Sequence, residues 1–217
     1  MRTILRSVYP FRGIDHPTGS RYARDMGRTT VRTKRWTRVQ YEHAIECGVF
    51  HEDERLELLN GLLVVKEPQG EPHAAAIDLV SLALRRAFGE GWLVRAQVHF
   101  ASGRLSRPEP DVYVVRGSPR DYSRVAPVSP VLIVEVSQSR LAFDRTRKAA
   151  IYARARIGDY WLVNLVDSVV EVRRDPARLA PPARGWGYRS IETFRAPASV
   201  NPLAAPHARI AVADLLP

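Results

Sequence analysis

Two apolar stretches rich in β-branched residues constrain this fold most, because each predicts a buried strand that contains one carboxylate. The first, "RPEPDVYVV" (107–115), has Asp111 at the start of its apolar run, and the second, "PVLIVEVSQS" (130–139), has Glu135 in the middle. Alternate residues of a strand face opposite sides, and here both sides are otherwise apolar, as in a strand covered on both faces. An unpaired carboxylate costs several kcal/mol in such surroundings. The fold must therefore offer each carboxylate a cation or a proton.

A metal ion is the simplest partner for both carboxylates. If the two strands lie side by side, Asp111 and Glu135 come together, and like charges at close range raise each other's pKa. A divalent ion between them offsets both penalties. Because carboxylate oxygens are hard ligands, Mg²⁺ or Mn²⁺ is the expected metal.

Glu57 and Lys148 are further candidates for this site. Glu57 lies among leucines in "RLELLNG", and Lys148 lies on the helix predicted to follow the Glu135 strand, one turn from Asp144 and from Tyr152. Lysine is rare in this chain, at positions 34, 66 and 148 only, whereas arginine is abundant. A compact ammonium suits a position where it orients a water or stabilises an oxyanion.

Structural alternatives stay open for each of these residues. A strand glutamate is often an edge residue that faces solvent, and an aspartate before a strand is often a turn residue. Lys148 could be an exposed helix residue paired with Asp144, a contact that stabilises by only about 0.3–0.5 kcal/mol.

The periodicity predicts a mixed sheet with helices packed against it. The sequence "NG" at 60–61 between apolar runs predicts a hairpin over 55–68, and a second hairpin joins 160–165 to 168–174. The order is α-ββ-α-βββ-α-ββ, with loops over 116–130 and 176–187. The predicted helices are 37–48, 71–91 and 142–156, the other strands are 92–101, 107–115 and 130–139, and weak strands follow near 188–194 and 208–212.

Positive charge is concentrated at the start of the chain. Residues 1–35 hold nine Lys/Arg against two Asp, which accounts for +7 of the formal net charge of +10. They show no periodicity, so we expect a disordered basic extension followed by one domain over 36–217. Two interpretations stay open for the extension: an arm that holds nucleic acid through phosphate contacts, and a weakly ordered segment, or upstream sequence ahead of a start at Met26.

Composition narrows the class of protein further. No apolar run approaches the ~20 residues that a membrane-spanning helix needs, and the single cysteine, Cys47, excludes an intramolecular disulfide. We therefore expect a cytoplasmic protein that has no membrane partner.

Several motifs, in order and with compatible spacing, resemble the Uma2 family of restriction-endonuclease-like proteins in the PD-(D/E)xK nuclease superfamily. The resemblance runs from Trp36 to about Asp175. The matching pieces are "ELLNGLLVV" (57–65), "PHAAAIDLVSLAL" (72–84), "PEPDVYVV" (108–115), "VLIVEVSQS" (131–139), "DRTRKAAIYARA" (144–155) and "DYWLVN" (159–164). It implies a restriction endonuclease-like α/β fold with an αβββαβ core, preceded by a helix and a hairpin.

The resemblance also implies roles for individual residues. Asp111 matches the Asp of "PD", Glu135 the second metal-binding acid, and Glu57 a third acid, while the carbonyl of Val136 adds a metal ligand. Ser137 occupies the place of the superfamily's usual lysine, and Lys148 is the expected substitute from the adjacent helix. His73, Arg145 and Arg147 are candidates for contact with nucleic acid.

The sequence differs from the family pattern at two places. Glu109 precedes "PD", where the family commonly has a basic residue, and "EVSQSR" lacks the family's usual proline. Neither departure removes a metal ligand, although Glu109 lowers the expected affinity for a polyanion.

The implied function is a Mg²⁺- or Mn²⁺-dependent endonuclease that hydrolyses phosphodiester bonds, with DNA as the expected substrate. A homodimer would suit the cutting of both strands. Two alternatives stay open: a nuclease fold without activity that binds nucleic acid or regulates, and a metal-dependent hydrolase of a small phosphorylated molecule.

Overall fold

The computed structural model describes residues 33–51, 53–181 and 185–217, and Arg35–Pro217 forms one compact unit. The predicted disorder of residues 1–35 lies almost wholly outside the described residues. In the described part of the chain, no helix is long and apolar enough to cross a membrane.

A six-stranded mixed sheet forms the centre of the fold. Its strands are β3 (Trp92–Ala96), β4 (Val112–Arg116), β5 (Leu132–Ser137), β6 (Asp159–Asn164), β7 (Val169–Leu179) and β8 (Gly185–Phe194), in that spatial order. Neighbours are antiparallel except β5 and β6, which are parallel with Glu135 opposite Leu162. The predicted mixed sheet, with the strands of Asp111 and Glu135 side by side, is confirmed.

A helix and a hairpin begin the described chain, as the sequence predicts. Helix α1 (Arg38–Glu46) begins at a capping box in which the Thr37 hydroxyl accepts from the Gln40 amide. Strands β1 (Leu56–Leu59) and β2 (Leu62–Val65) form a hairpin whose turn residues, Asn60 and Gly61, both have positive φ. This backbone conformation explains why "NG" is found there.

Helices cover both faces of the sheet and define two apolar clusters. On one face, α2 (Glu71–Phe88) packs Ile77, Val80 and Leu84 against Val134 and other strand residues. On the opposite face, α4 (Ala149–Arg154) packs Tyr152 and Ala153 against Tyr113, Ile133 and Tyr160. Because β5 is covered on both sides, the apolar character of its two faces is explained.

The helical segment after β5 is not a uniform α-helix. It consists of α3 (Leu141–Phe143), a π-helical turn over Asp144–Lys148, and then α4. Such turns accommodate one extra residue within a helix and often lie at functional sites. The predicted helix over 142–156 is therefore present with a changed register at its centre.

The end of the sheet differs from the prediction. Residues 176–187 were expected to form a loop, but β7 continues to Leu179 and β8 starts at Gly185, with Pro176 opposite Tyr188. The pairing of β6 with β7 ends at Arg174, so beyond that point β7 has one neighbour only. A proline is tolerated there because this end of β7 pairs on one side only, as an edge strand does.

Two other strand boundaries also shift. The strand expected over 92–101 ends at Ala96, and the strand expected from 107 begins at Val112, which places Asp111 just before it. The chain ends with the short strands β9 (Ser199–Val200) and β10 (Ile210–Ala211) and a 3₁₀ turn, Val212–Leu215.

Candidate active site

The two strand carboxylates meet where the pairing of β4 with β5 ends. The last pair is Val112 with Val134, and β5 continues to Ser137 while Asp111 leads into β4. Asp111 is 4% exposed and Glu135 is 1% exposed. Glu135 is therefore not an edge residue that faces solvent, whereas Asp111 does lie in a bend just before its strand and is nonetheless buried.

Asp111 is held by a strand amide and by a helix histidine. Its Oδ2 accepts a hydrogen bond from the Val136 amide at 2.9 Å, and its Oδ1 lies 3.4 Å from Nε2 of His73 in the first turn of α2. Burial raises the pKa of Asp111, but His73, Lys148 and the Val136 amide outweigh burial and hold that pKa below its usual value. Asp111 is therefore an ionised carboxylate at neutral pH.

The Val136 carbonyl points to the same side of β5 as Asp111. The N–H and C=O of one strand residue point in the same direction, and the Val136 amide donates to Asp111. The Ser137 carbonyl points the other way and accepts from Leu165. The backbone direction is thus compatible with the predicted role of the Val136 carbonyl as a ligand.

Glu135 accepts two side-chain hydrogen bonds from the helical segment. Lys148 Nζ and the Tyr152 hydroxyl donate to its Oε1, at 2.9 and 2.5 Å. Lys148 is the last residue of the π-helical turn and is 7% exposed, so its interpretation as an exposed helix residue paired with Asp144 is wrong. The ammonium reaches Glu135 from the adjacent helix, as the substitution at Ser137 led us to expect.

Glu57 approaches the same ammonium from the hairpin. Its Oε2 accepts from the Glu109 amide at 3.3 Å, and its Oε1 lies 3.7 Å from Lys148 Nζ without a hydrogen bond among the described residues. Glu57 is 1% exposed. The register of β1 thus turns a third carboxylate towards Asp111 and Glu135.

Asp144 is a fourth acid that the sequence analysis did not select for the site. It begins the π-helical turn, is 5% exposed and lines the same pocket as Lys148. Burial is the main reason that its pKa is raised, and Lys148 opposes the shift. The available signal was its spacing four residues before Lys148, which suggested a surface pair instead.

The four acidic side chains of Glu57, Asp111, Glu135 and Asp144, here called the acidic floor, lie in one pocket with the single ammonium of Lys148. Burial is the largest cause that raises the pKa of Glu135; Lys148 opposes it, and the neighbouring carboxylates add to it. Burial lowers the pKa of Lys148, but the carboxylates outweigh burial and raise it, so this lysine stays protonated. The acidic floor therefore favours the binding of a further cation.

The donor chemistry of the acidic floor fits a hard divalent cation. Within 33–51, 53–181 and 185–217, no three His, Cys, Asp or Glu side chains already surround one point as metal ligands. However, every donor is a carboxylate oxygen, and the buried Oε1 of Glu57 has no hydrogen bond in the described part of the chain. Oxygen donors with excess negative charge are what Mg²⁺ and Mn²⁺ require.

A pocket opens above the acidic floor, and its edge carries two cations that the sequence analysis did not select. Lys66 follows β2, and Arg140 precedes α3 and donates to the Val65 carbonyl at 3.1 Å. We call Lys66 and Arg140 the basic rim. Other residues that line the pocket are Glu67, Pro68, Gln69, Gly70, His73, Val136, Ser137, Gln138, Ser139 and Lys148.

Two of the predicted residues do not line this pocket. Arg145 donates from Nε to Glu171 on β7 at 2.9 Å, and Arg147 is exposed on the π-helical turn. Their predicted contact with nucleic acid stays a prediction.

Comparison with known proteins gives both a family and a structural neighbour. No curated protein gives a match. The chain is similar to the crystal structure of a putative nuclease belonging to DUF820 from Anabaena variabilis, with a TM-score of 0.60 and 20% sequence identity. The alignment covers 79% of this chain and 95% of that chain, and it confirms the expected fold. The model of the Uma2 family, described as a putative restriction endonuclease, matches residues 39–213, and this chain belongs to that family.

Proposed function

We propose that this chain is a Mg²⁺- or Mn²⁺-dependent endonuclease that hydrolyses phosphodiester bonds of DNA. The observation that carries the proposal is the acidic floor, in which buried carboxylates outnumber the single ammonium of Lys148 at the bottom of an open pocket. Membership of a family described as a putative restriction endonuclease supports the same function.

Asp111, Glu135, Glu57 and the Val136 carbonyl are the groups that would hold the ion. When bound, the ion supplies Lewis acidity, which activates a water and offsets charge on the phosphate. Its donors are positioned in advance: His73 and the Val136 amide orient Asp111, while Tyr152 and Lys148 orient Glu135. Because His73 is buried against Asp111, its position favours this orienting role over contact with phosphate.

Lys148 acts as a donor and not as a base. Its raised pKa keeps the ammonium charged, so it stabilises negative charge that develops on the phosphate oxygens in the transition state. Its contacts with Glu135 and Glu57 hold it at the acidic floor before substrate arrives.

Cleavage of plasmid and single-stranded DNA tests this proposal directly. We expect the purified full chain to cleave with Mg²⁺ or Mn²⁺, to be inactive in EDTA, and to lose at least about 100-fold in rate on Asp111→Asn or Glu135→Gln. Asp78→Asn, at an exposed position on α2, is the matched control and should cleave like the wild type.

Three other outcomes would each contradict part of the proposal. Equal cleavage by wild type and Asp111→Asn would show that the site is wrong. Cleavage of RNA alone under the same conditions would show that the substrate is wrong. Absence of Mn²⁺ binding in calorimetry, with nucleic acid still bound, would favour an inactive nuclease fold that serves for binding.

A further inference from the structure

Lys66 is a nearly buried cation at the edge of the pocket, and the proposed chemistry above does not use it. Its side chain is 7% exposed, and Nζ lies 2.6 Å from Oε1 of Glu109, whose side chain is 25% exposed. Glu109 is fixed in turn, since its amide donates to Glu57 at 3.3 Å. The ion pair therefore joins the hairpin to the segment that carries Asp111.

An ammonium has three hydrogen-bond donors, and among the described residues at most two of those of Lys66 have a partner. One donates to the Glu109 carboxylate, and a longer contact of 3.4 Å reaches the Glu109 carbonyl. Lys66 lines the pocket, whereas Glu109 does not. One donor thus remains for a group that enters the pocket.

The distribution of charge in the pocket indicates what that group is. The acidic floor attracts a metal ion, whereas the basic rim of Lys66 and Arg140 attracts an anion. The N-terminus of α2 reaches the same pocket through Gly70, and no side chain caps it. A phosphodiester backbone has several phosphates, so one can lie at the acidic floor while a neighbouring one meets the rim.

Lysine usage in the chain supports a specific role for this position. The chain has lysine at 34, 66 and 148 only, among 33 Lys and Arg residues. Two of these three lysines line the same pocket. A compact ammonium fits a buried ion pair with a single carboxylate, where the guanidinium of arginine brings five fixed donors that all need partners.

We propose that Lys66 binds a backbone phosphate next to the scissile one, and that Glu109 restrains this contact by sharing the ammonium. The inference rests on the proposed nuclease function and adds a substrate-binding residue to it. In this arrangement, Glu109 weakens binding of nucleic acid in two ways: through its own negative charge, and by competing with the phosphate for Lys66.

A double-mutant cycle on binding separates these two effects. The full chain with Asp111→Asn, which removes cleavage from the measurement, is titrated against a fluorescein-labelled DNA duplex, and anisotropy is recorded at several KCl concentrations. We expect Lys66→Met to weaken binding by about 10-fold to 100-fold, as for loss of a hydrogen bond to a charged group. It should also make the slope of log K against log[KCl] shallower by about 0.9, the value for one phosphate contact.

Glu109→Gln should tighten binding about threefold more than Glu192→Gln, which removes an exposed carboxylate of β8 outside the pocket. With Lys66→Met already present, the effect of Glu109→Gln should be clearly smaller, because only the charge of Glu109 itself is then removed and no ammonium is released. Arg120→Met, at an exposed arginine outside the pocket, controls for the loss of one positive charge.

The possible failures are distinguishable. If Asp111→Asn binds the duplex and Lys66→Met has the same affinity and slope as Arg120→Met, the phosphate contact is wrong while the nuclease proposal stands. If the effect of Glu109→Gln is unchanged by Lys66→Met, the restraint by Glu109 is wrong. If the wild type neither cleaves nor binds DNA or RNA, both the proposed function and this inference are wrong.

Folding of each variant is a necessary control. Lys66→Met leaves Glu109 without its cation, so the cycle includes the double variant, and circular dichroism checks that each variant is folded.

Discussion

At the scale of single residues, Lys148 determines whether the acidic floor is compatible with folding. It donates to Glu135 at 2.9 Å and lies 3.7 Å from Glu57, and all three side chains are nearly inaccessible to solvent. If a buried carboxylate loses its cation, the desolvation penalty of the carboxylate remains, but the attraction between the two charges that offset this penalty is gone. Lys148 is therefore a structural residue as well as a proposed donor in catalysis.

Lys148→Met should lower the free energy of unfolding by about 3–5 kcal/mol, because Glu135 and Glu57 remain buried without a cation. Urea denaturation in EDTA measures this change. The control is Arg189→Met, which breaks an ion pair with Asp175 that is more than half exposed on both sides and should cost at most about 1 kcal/mol. Adding Glu135→Gln to Lys148→Met should restore part of the lost free energy of unfolding. If the double variant is as unstable as Lys148→Met, the loss is caused by packing and not by charge.

At the scale of elements, the π-helical turn Asp144–Lys148 sets which side chains face the pocket. Both of its terminal residues are buried, and α4 continues directly from it into the core with Ala149 and Tyr152. Two residues of β7 hold the turn in place. Glu171 accepts a hydrogen bond from the Arg145 side chain, and Arg173 donates to the Arg145 carbonyl. The turn thus places Asp144 and Lys148, four residues apart, at the same pocket.

At the scale of the whole molecule, the proposed binding of a metal ion at the acidic floor would be coupled to stability. It joins the hairpin, the β4 and β5 strands and the helical segment, which come together only in the folded chain. An ion that binds there binds the native state and not the unfolded one, so it shifts the folding equilibrium.

Mn²⁺ at about 100 times its dissociation constant should stabilise the wild-type chain by about 2.7 kcal/mol, which corresponds to a rise in Tm of roughly 5–10 °C for a chain of this size. Differential scanning calorimetry with Mn²⁺ and with EDTA measures the shift. Asp78→Asn should show the same rise, whereas Asp111→Asn should show little. An equal rise in both variants would place the bound ion elsewhere.

Much of the fold followed from local patterns in the sequence. Residues 131–136 are apolar on both faces, which predicted a strand covered on both sides. The "NG" pair at 60–61 predicted a tight hairpin, and the helical periodicity after Pro72 predicted α2. All three elements are present. The order of elements followed from these patterns, whereas the adjacency of the Asp111 and Glu135 strands was a condition that the pairing of β4 with β5 meets. The extension of β7 and β8 did not, because Pro176 is acceptable only where β6 no longer pairs with β7, and that boundary depends on the whole sheet.

The sequence by itself determined the chemical character of the site, since a carboxylate in an apolar strand must have a partner wherever the strand lies. It did not determine which groups are those partners. In the sequence, Asp144 was only a possible surface partner of Lys148 and Lys66 only one of three lysines. The tertiary structure places Asp144 in the acidic floor and Lys66 against Glu109. The physical reason is that burial of a side chain, its pKa and the charges around it depend on contacts between residues far apart in the chain: Lys66 and Glu109 are 43 positions apart, and Asp111 and Val136 are 25 apart.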